Sequence, residues 1–198
     1  MSQEDRRMRI SLHLSENQNE VQKQIENCAD ILFRPLLIGE KEKTEAFLIY
    51  IEVAVSNLML EEHVIGLSDV QPLKSYAEGK AALLAGNGLL FLDGDTNCYK
   101  ISSKGYPGLG VKKAENEKVI RGSQEAFTES EKINVALIRK RLRDSRMKVE
   151  EQTVGVRSHT MTALVYMEDL IYQGLLTTMK QQLQRYEIDG ILDSGMLE

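Results

Sequence analysis

Tryptophan is absent from these 198 residues, and phenylalanine occurs only four times beside seven tyrosines. That leaves few aromatic platforms on which nucleobases could stack. Positive charge is not in excess either: 25 basic residues face 30 acidic ones, for a net charge of −5. A nucleic-acid binder ordinarily shows the opposite balance. Cysteine is scarce, with only Cys28 and Cys98, which stand alone and far apart. The two could meet in space, but a chain of this size with two cysteines is more often reduced and intracellular. No run approaches the roughly 18 apolar residues of a membrane-spanning helix. The nearest, Ala46 to Val55, is short and broken by Glu52. The start, Met1-Ser2-Gln3-Glu4-Asp5-Arg6-Arg7, lacks the apolar stretch and cleavage site of a secretory signal. What remains is an ordinary soluble composition, 42% hydrophobic and 28% charged, enough for one large domain or two small ones.

The hydrophobic pattern supplies the elements. Ser15-Glu16-Asn17-Gln18 has the form of a capping box opening a helix, with Val21 and Ile25 recurring on one face. Ile31 to Ile38 reads as a strand, and Pro35 places it at a sheet edge or bulge. A turn at Gly39 to Lys43 leads to Ala46–Val53, apolar and partly β-branched like a central strand. Helices are expected through Leu58 and Leu60 and from Leu73 to Ala85. Leu89 to Leu92, Asp93-Gly94 and Tyr99 to Ile101 form a hairpin pattern. From Lys104 to Lys118 glycine, proline and charge displace any apolar period, the texture of a linker. Thr128-Glu129-Ser130-Glu131 is a second capping box, followed by a helix through Val135, Leu137, Ile138 and Leu142. Strands at Val149–Val154 and Thr160–Met167 and a helix from Gln173 to Tyr186 complete the chain.

Helix–strand–strand–helix thus occurs twice, the sign of an internal repeat. A shift of 116 residues pairs Gly39 with Gly155, Thr44 with Thr160, Leu48 with Leu164, Tyr50 with Tyr166 and Glu52 with Glu168. Upstream, a shift of 117 pairs Asn17 with Asn134, Val21 with Ile138 and Ile25 with Leu142. The expected fold is α/β (α+β) in two small lobes related by this repeat, each a short mixed sheet with helices packed on it. Residues 1–106 form the first lobe, with 1–14 a candidate disordered start. Residues 107–118 form the linker and 119–198 the second lobe.

Candidate chemistry is sparse. His13, His63 and His159 fall on separate elements without ligand spacing. Gly86-Asn87-Gly88 and Gly105, Gly108 and Gly110 match neither phosphate-binding pattern and suit turns. Ser158 and His159 are chain neighbours, whose side chains point apart, with no orienting carboxylate beside them. The basic run Arg139, Lys140, Arg141, Arg143, Arg146 and Lys148 suits a helix carboxyl end on a solvated face. Contact with anionic headgroups or an acidic partner is the functional alternative. No constellation for an enzyme emerges.

The second half resembles the GerA spore germination protein family. Val119-Ile120-Arg121-Gly122-Ser123-Gln124-Glu125-Ala126-Phe127-Thr128-Glu129 is similar to the family's V-I/V-R-G-P-R-E-G-F-T-E, and Asn134-Val135-Ala136-Leu137-Ile138-Arg139-Lys140-Arg141-Leu142 to N-x-A-L-I-R-R-R-I. Val154-Gly155-Val156-Arg157-Ser158-His159-Thr160, with Ala163 to Tyr166, resembles V-G-R-R-S-K-T-x-x-A-V-V-Y. Ile188-Asp189-Gly190-Ile191-Leu192-Asp193-Ser194-Gly195 matches I-D-G-I-L-D-S-G. Ser123, Gln124, Ala126 and Val156 depart from these patterns. The resemblance implies an A subunit of a nutrient germinant receptor in the spore inner membrane, a longer polypeptide whose transmembrane helices follow this region. It further implies B and C subunits and other A subunits as partners, a small nutrient such as an amino acid, sugar or nucleoside as signal, no cofactor, and a soluble region facing the spore interior. Glu125, Phe127, Thr128, Asn134, Arg139, Arg157, Ser158 and Thr160 are its ligand or subunit-interface candidates, expected either in a domain that relays the signal and assembles the receptor or, alternatively, in a binding module with germinant in the inter-lobe cleft. The structural expectation for the same residues is that Asn134 bonds backbone, Arg139 pairs with Glu125 or Glu129, and Thr160 fixes a turn.

Overall fold

The repeat is visible in the backbone. The computed structural model describes residues 9–39, 42–54, 70–102, 125–185, 187–191 and 194–197. The first copy contains helix α1 (Leu14–Gln24) and strands β1 (Ile31–Ile38) and β2 (Thr44–Ile51), and a short 3-10 turn at Glu52–Ala54 follows. Strand β3 (Val70–Leu73), helix α2 (Tyr76–Leu84) and strands β4 (Gly88–Leu92) and β5 (Cys98–Ile101) come next. The second copy contains α3 (Glu131–Arg141), β6 (Met147–Val154), β7 (Thr160–Met167) and α4 (Gln173–Gln184), with a final 3-10 turn at Ser194–Leu197. The expected helix through Leu58 and Leu60, the linker at 107–118 and the motif stretch Val119 to Gln124 lie outside the described residues, as do Leu192 and Asp193.

The contacts divide the chain into two units, Met1–Glu26 with Asp30–Ser145, and Asn27–Ala29 with Arg146–Glu198. Helix α3, expected in the second lobe, therefore belongs with the first unit, because it packs on the turn at Glu52–Ala54. Residues 9–14 of the candidate disordered start are structured. Arg9 bridges to Ser75, and Ile10 and Leu14 are buried in the core.

In the first unit five strands run in the order β1-β2-β4-β5-β3. Every named strand pair is antiparallel, where mixed sheets were expected. Short hairpins and returning loops favour that geometry over parallel crossovers. Strand β2 is central as its apolar sequence requires, and all six residues from Ala46 to Ile51 are buried. Phe47, Ile49 and Ile51 join Leu14 and Val21 of α1 and Leu83 of α2 on one face. Ala46, Leu48 and Tyr50 join Leu90 and Ile101 on the other. Phe47 lies opposite Phe91 in register, the rings 4.5 Å apart, and Phe33 stacks on Phe47 at 4.7 Å. The edges are guarded: β1 carries Arg34 and Pro35, and β3 carries Pro72. Proline lacks the ladder donor and charge resists docking of another strand.

Strand β3 was hidden by that proline in a segment expected to begin a helix at Leu73. The helix starts later, where Ser75 accepts from the Glu78 amide and Glu78 accepts from the Lys74 amide. In the second unit β6 and β7 pair along their full length, from Met147 opposite Met167 to Val154 opposite Thr160. Asn27–Ala29 run beside β6. The Ala29 amide donates to the Val149 carbonyl at 2.9 Å and the Val149 amide to the Asn27 carbonyl at 2.8 Å.

Both turns that join the repeated strand pairs use glycine for a physical reason. Gly39 has φ +116° and a Cβ there would stand 2.1 Å from the Glu42 carbonyl oxygen. Gly155 has φ +83° and its Cβ would stand 2.4 Å from Ser158 Oγ.

Candidate functional site

Neither expected capping box forms as such. His13 and Ser130 occupy the N-cap positions of α1 and α3, and neither side chain accepts a capping bond. An asparagine one turn inside each helix reaches back instead. Asn17 Oδ1 accepts from the Ser11 amide at 2.8 Å and its Nδ2 donates to the Ser11 carbonyl at 2.8 Å. Asn134 Oδ1 accepts from the Thr128 amide at 2.7 Å and its Nδ2 donates to the Thr128 carbonyl at 2.7 Å. The hydroxyls repeat as well: Ser11 Oγ accepts from the His13 amide, and Thr128 Oγ1 from the Ser130 amide, both at 3.2 Å. One side-chain amide, holding a donor and an acceptor, satisfies both backbone groups of a residue outside the helix. Asn134 thus bonds backbone as expected.

Five candidates gather around α3 in the first unit. Arg139 is completely buried and forms a bidentate pair with Asp30, Nε to Oδ2 and Nη2 to Oδ1, each 2.9 Å. Its Nη1 donates to the Asp144 carbonyl at 3.2 Å. The expectation of Glu125 or Glu129 as partner is therefore corrected to Asp30. Glu125 instead receives Lys140 at 2.9 Å and Arg141 at 3.0 Å, one on each carboxylate oxygen. These charge-assisted bonds hold its carboxyl below the ordinary carboxylate value. Phe127 is 65% exposed. With Leu137, Ile138 and Leu142 it lines a hollow of about 280 Å³, with Glu125 and Arg141 also in its wall.

The remaining three candidates sit at the β6–β7 turn of the second unit, where the final motif block docks. Amides of Val156, Arg157 and Ser158 donate to the carbonyls of Ile188 and Asp189 at 2.9 to 3.0 Å. Thr160 Oγ1 donates to the Ile191 carbonyl at 2.6 Å, and Ser158 Oγ accepts from the Ile191 amide at 3.2 Å. Thr160 therefore does fix the turn, while Ser158 is engaged with backbone and with the Thr160 hydroxyl at 2.9 Å. Arg157, whose side chain is 80% exposed, stands 3.4 Å from Asp189. His159 has φ +45° in the same turn, and His63 lies outside the described residues.

The basic run is not simply a solvated face. Arg139 and Lys148 are buried, Lys140 and Arg141 are paired with Glu125, Arg146 with Asp169, and Lys148 with Glu168. In the second unit Glu150 receives Lys180 and the Tyr166 hydroxyl. Burial pushes its carboxyl up, but those two bonds outweigh burial and leave it lowered. Among the described residues no helix is long and apolar enough to cross a membrane, and no group of three or more acidic, His or Cys side chains could hold a metal ion.

These arrangements define a domain in which the motif blocks brace one another in pairs, the first against the second and the third against the fourth. The model of the Bacillus/Clostridium GerA spore germination protein family matches residues 61–198, and the chain belongs to that family. It is 27% identical to spore germination protein KA of Bacillus subtilis over 99% of its own length and 40% of the relative's. With the membrane protein YfkQ of the same organism, described as uncharacterized, it shares 28% identity over 96% of its length and 41% of the relative's. The chain thus spans about two fifths of the curated relatives it matches. Its fold matches the crystal structure of the N-terminal domain of the A subunit of the Bacillus megaterium spore germinant receptor GerK3. That match has a TM-score of 0.73 at 21% identity and covers 94% of this chain and 77% of the other.

Proposed function

We propose that this chain is the soluble N-terminal domain of a nutrient germinant receptor A subunit, which helps transmit the germinant signal and assemble the receptor. In this reading the full-length protein sits in the spore inner membrane with this domain on its interior face. B and C subunits and further A subunits are its partners, and it has no catalytic role. One observation carries the choice of relay over chemistry. Asn134, Thr128, Arg139, Glu125, Ser158 and Thr160 are all engaged in bonds within their own unit. Residues engaged this way hold segments in place and transmit their position, as rigid packed elements do.

A second reading, a small-molecule module holding an amino acid or sugar, has the hollow beside Phe127 in its favour. At about 280 Å³ it falls at the lower limit of ordinary ligand pockets, roughly 300–1,000 Å³. Its Glu125 already receives two cations.

Spores carrying Asn134→Ala or Arg157→Ala in the full-length protein separate the two. The relay reading expects reduced receptor level or germination, in equal proportion for every nutrient. A normal receptor level with an altered nutrient spectrum would favour the binding module.

A further inference from the structure

The two asparagine-anchored helix starts carry the same apolar stripe with opposite fates. Ile10 precedes Ser11 as Phe127 precedes Thr128, and along the helices Val21 answers to Ile138 and Ile25 to Leu142, all at the shift of 117. In the first copy this stripe is core. Ile10 and Val21 are buried with Phe47 and Phe91, and Ile25 packs against them. In the second copy it faces outward: Phe127 is 65% exposed, Leu142 46% exposed, and Ile138 half-buried. The hollow of about 280 Å³ runs along these three residues, with Leu137 at its floor. An exposed aromatic beside an exposed leucine in one concave site is the composition of a binding surface.

Charge and shape select the occupant. Glu125 and Arg141 stand in the wall, Lys140 is bonded to Glu125 at 2.9 Å, and Arg143 donates to the Lys140 carbonyl at 3.3 Å. Three cations thus surround one carboxylate, in a chain whose net charge is −5. The local excess is positive where the molecule as a whole is negative, so the complement is acidic. The same face of a second copy would bring these cations against themselves. An anionic bilayer calls for apolar side chains that project into it, whereas these line a concavity. At about 280 Å³ the space is small for a whole ligand and suits a single large side chain.

We propose that the hollow between Phe127 and Leu142 docks an acidic segment of a partner protein, which seats one large apolar side chain there and sets its carboxylates against Lys140, Arg141 and Arg143. Phe127 and Arg141 are the residue types that carry most binding energy in such contacts, and a guanidinium receives a carboxylate with two parallel bonds. Glu125 has a positioning role. By holding Lys140 and Arg141, one on each oxygen, it fixes the cations at the rim before the partner arrives. This inference rests on the assembly part of the proposed function and names what one face would hold. Its test is made in solution, so its failure and a failure of the germination variants are read separately.

The test selects random dodecapeptides displayed on phage against the immobilised 198-residue chain. Recovered peptides should share one Leu, Ile, Met or Phe flanked by two or more Asp or Glu. A synthetic peptide with that consensus is then titrated into Phe127→Trp, whose indole is the sole one in a chain without tryptophan. Its emission should move to the blue as the peptide covers it. Exchanging the peptide's acids for amides should weaken binding about tenfold or more, and about 0.5 M salt should weaken it likewise. Arg141→Glu should reject the acidic peptide and accept its lysine counterpart. If circular dichroism shows Arg141→Glu unfolded, the exposed Arg143→Glu takes its place, and the selection on the unaltered chain needs no variant. Recovery of no peptide, or of peptides without acidic residues, would overturn the proposal. So would binding indifferent to Phe127→Ser, vesicles of anionic lipid that bind where peptides fail, or self-association that moves the tryptophan emission with no peptide present.

Discussion

Asn17 and Asn134 perform the same act in two copies of one helix start, each closing its amide on both backbone groups of the residue six positions earlier. The environments differ. Asn17 is fully buried and also accepts from the Tyr76 hydroxyl, whereas Asn134 is half-buried. Burial without a partner costs about 1–3 kcal/mol for each polar group orphaned. Asn17→Ala should therefore lower stability more than Asn134→Ala, the latter by about 1–2 kcal/mol. Urea unfolding of both variants checks the order, and equal losses would contradict it.

Arg139 and Asp30 make the second prediction. Both side chains are buried and their bond is bidentate, so removing one charge strands the other in a low dielectric. Arg139→Met or Asp30→Leu alone should cost about 3–5 kcal/mol, and the double substitution clearly less than the sum. Arg139→Lys should not rescue, because a lysine cannot reproduce the fork. A double-mutant cycle by chemical denaturation measures the coupling.

Much of this fold was legible from periodicity and spacing. Strand β1 falls on its expected residues, β2 is central, and the shifts of 116 and 117 match the starts of β1 and β6 and of α1 and α3. What stayed hidden has physical causes. Pro72 masked β3, since proline argues against a strand unless the strand is an edge. The capping boxes misled because hydroxyl and carboxylate spacing is common, and the asparagine that does the anchoring signals itself only through the repeat. Asp30 was missed as the partner of Arg139 because it lies 109 residues away, in a connection with no periodicity. The docking of Asp189 to Ile191 on the Gly155–Thr160 turn joins two motif blocks that read separately in the sequence. Thr160 was expected to fix a turn, but nothing in the sequence marked the Ile191 carbonyl as its partner.

The turn glycines grade a third prediction. Alanine at Gly39 meets a carbonyl oxygen of the backbone, alanine at Gly155 meets the Ser158 hydroxyl, and alanine at Gly94, φ +79°, meets nothing within 4 Å. All three pay the left-handed conformational cost, roughly 1–2 kcal/mol. Thermal unfolding should rank the losses Gly39→Ala, then Gly155→Ala, then Gly94→Ala. The backbone cannot step aside as a serine side chain can.

Acid stability supplies the fourth. The Glu150 carboxyl lies below its ordinary value of 4.5 in the folded chain, so folding favours its ionised form. The contribution is fully present above the ordinary carboxylate value and is lost as pH falls through the lower folded one. Glu150→Gln should flatten the decline in stability over that acid range and leave the slope near neutrality unchanged. Denaturation midpoints measured against pH report the slope directly.

In the proposed relay reading the motif residues hold the chain to itself and do not hold a nutrient. Isothermal titration of the 198-residue chain with a panel of amino acids, sugars and nucleosides tests it most directly. No saturable heat is expected from any of them. Saturable micromolar binding of one, abolished by substituting Phe127 or Arg141, would contradict it.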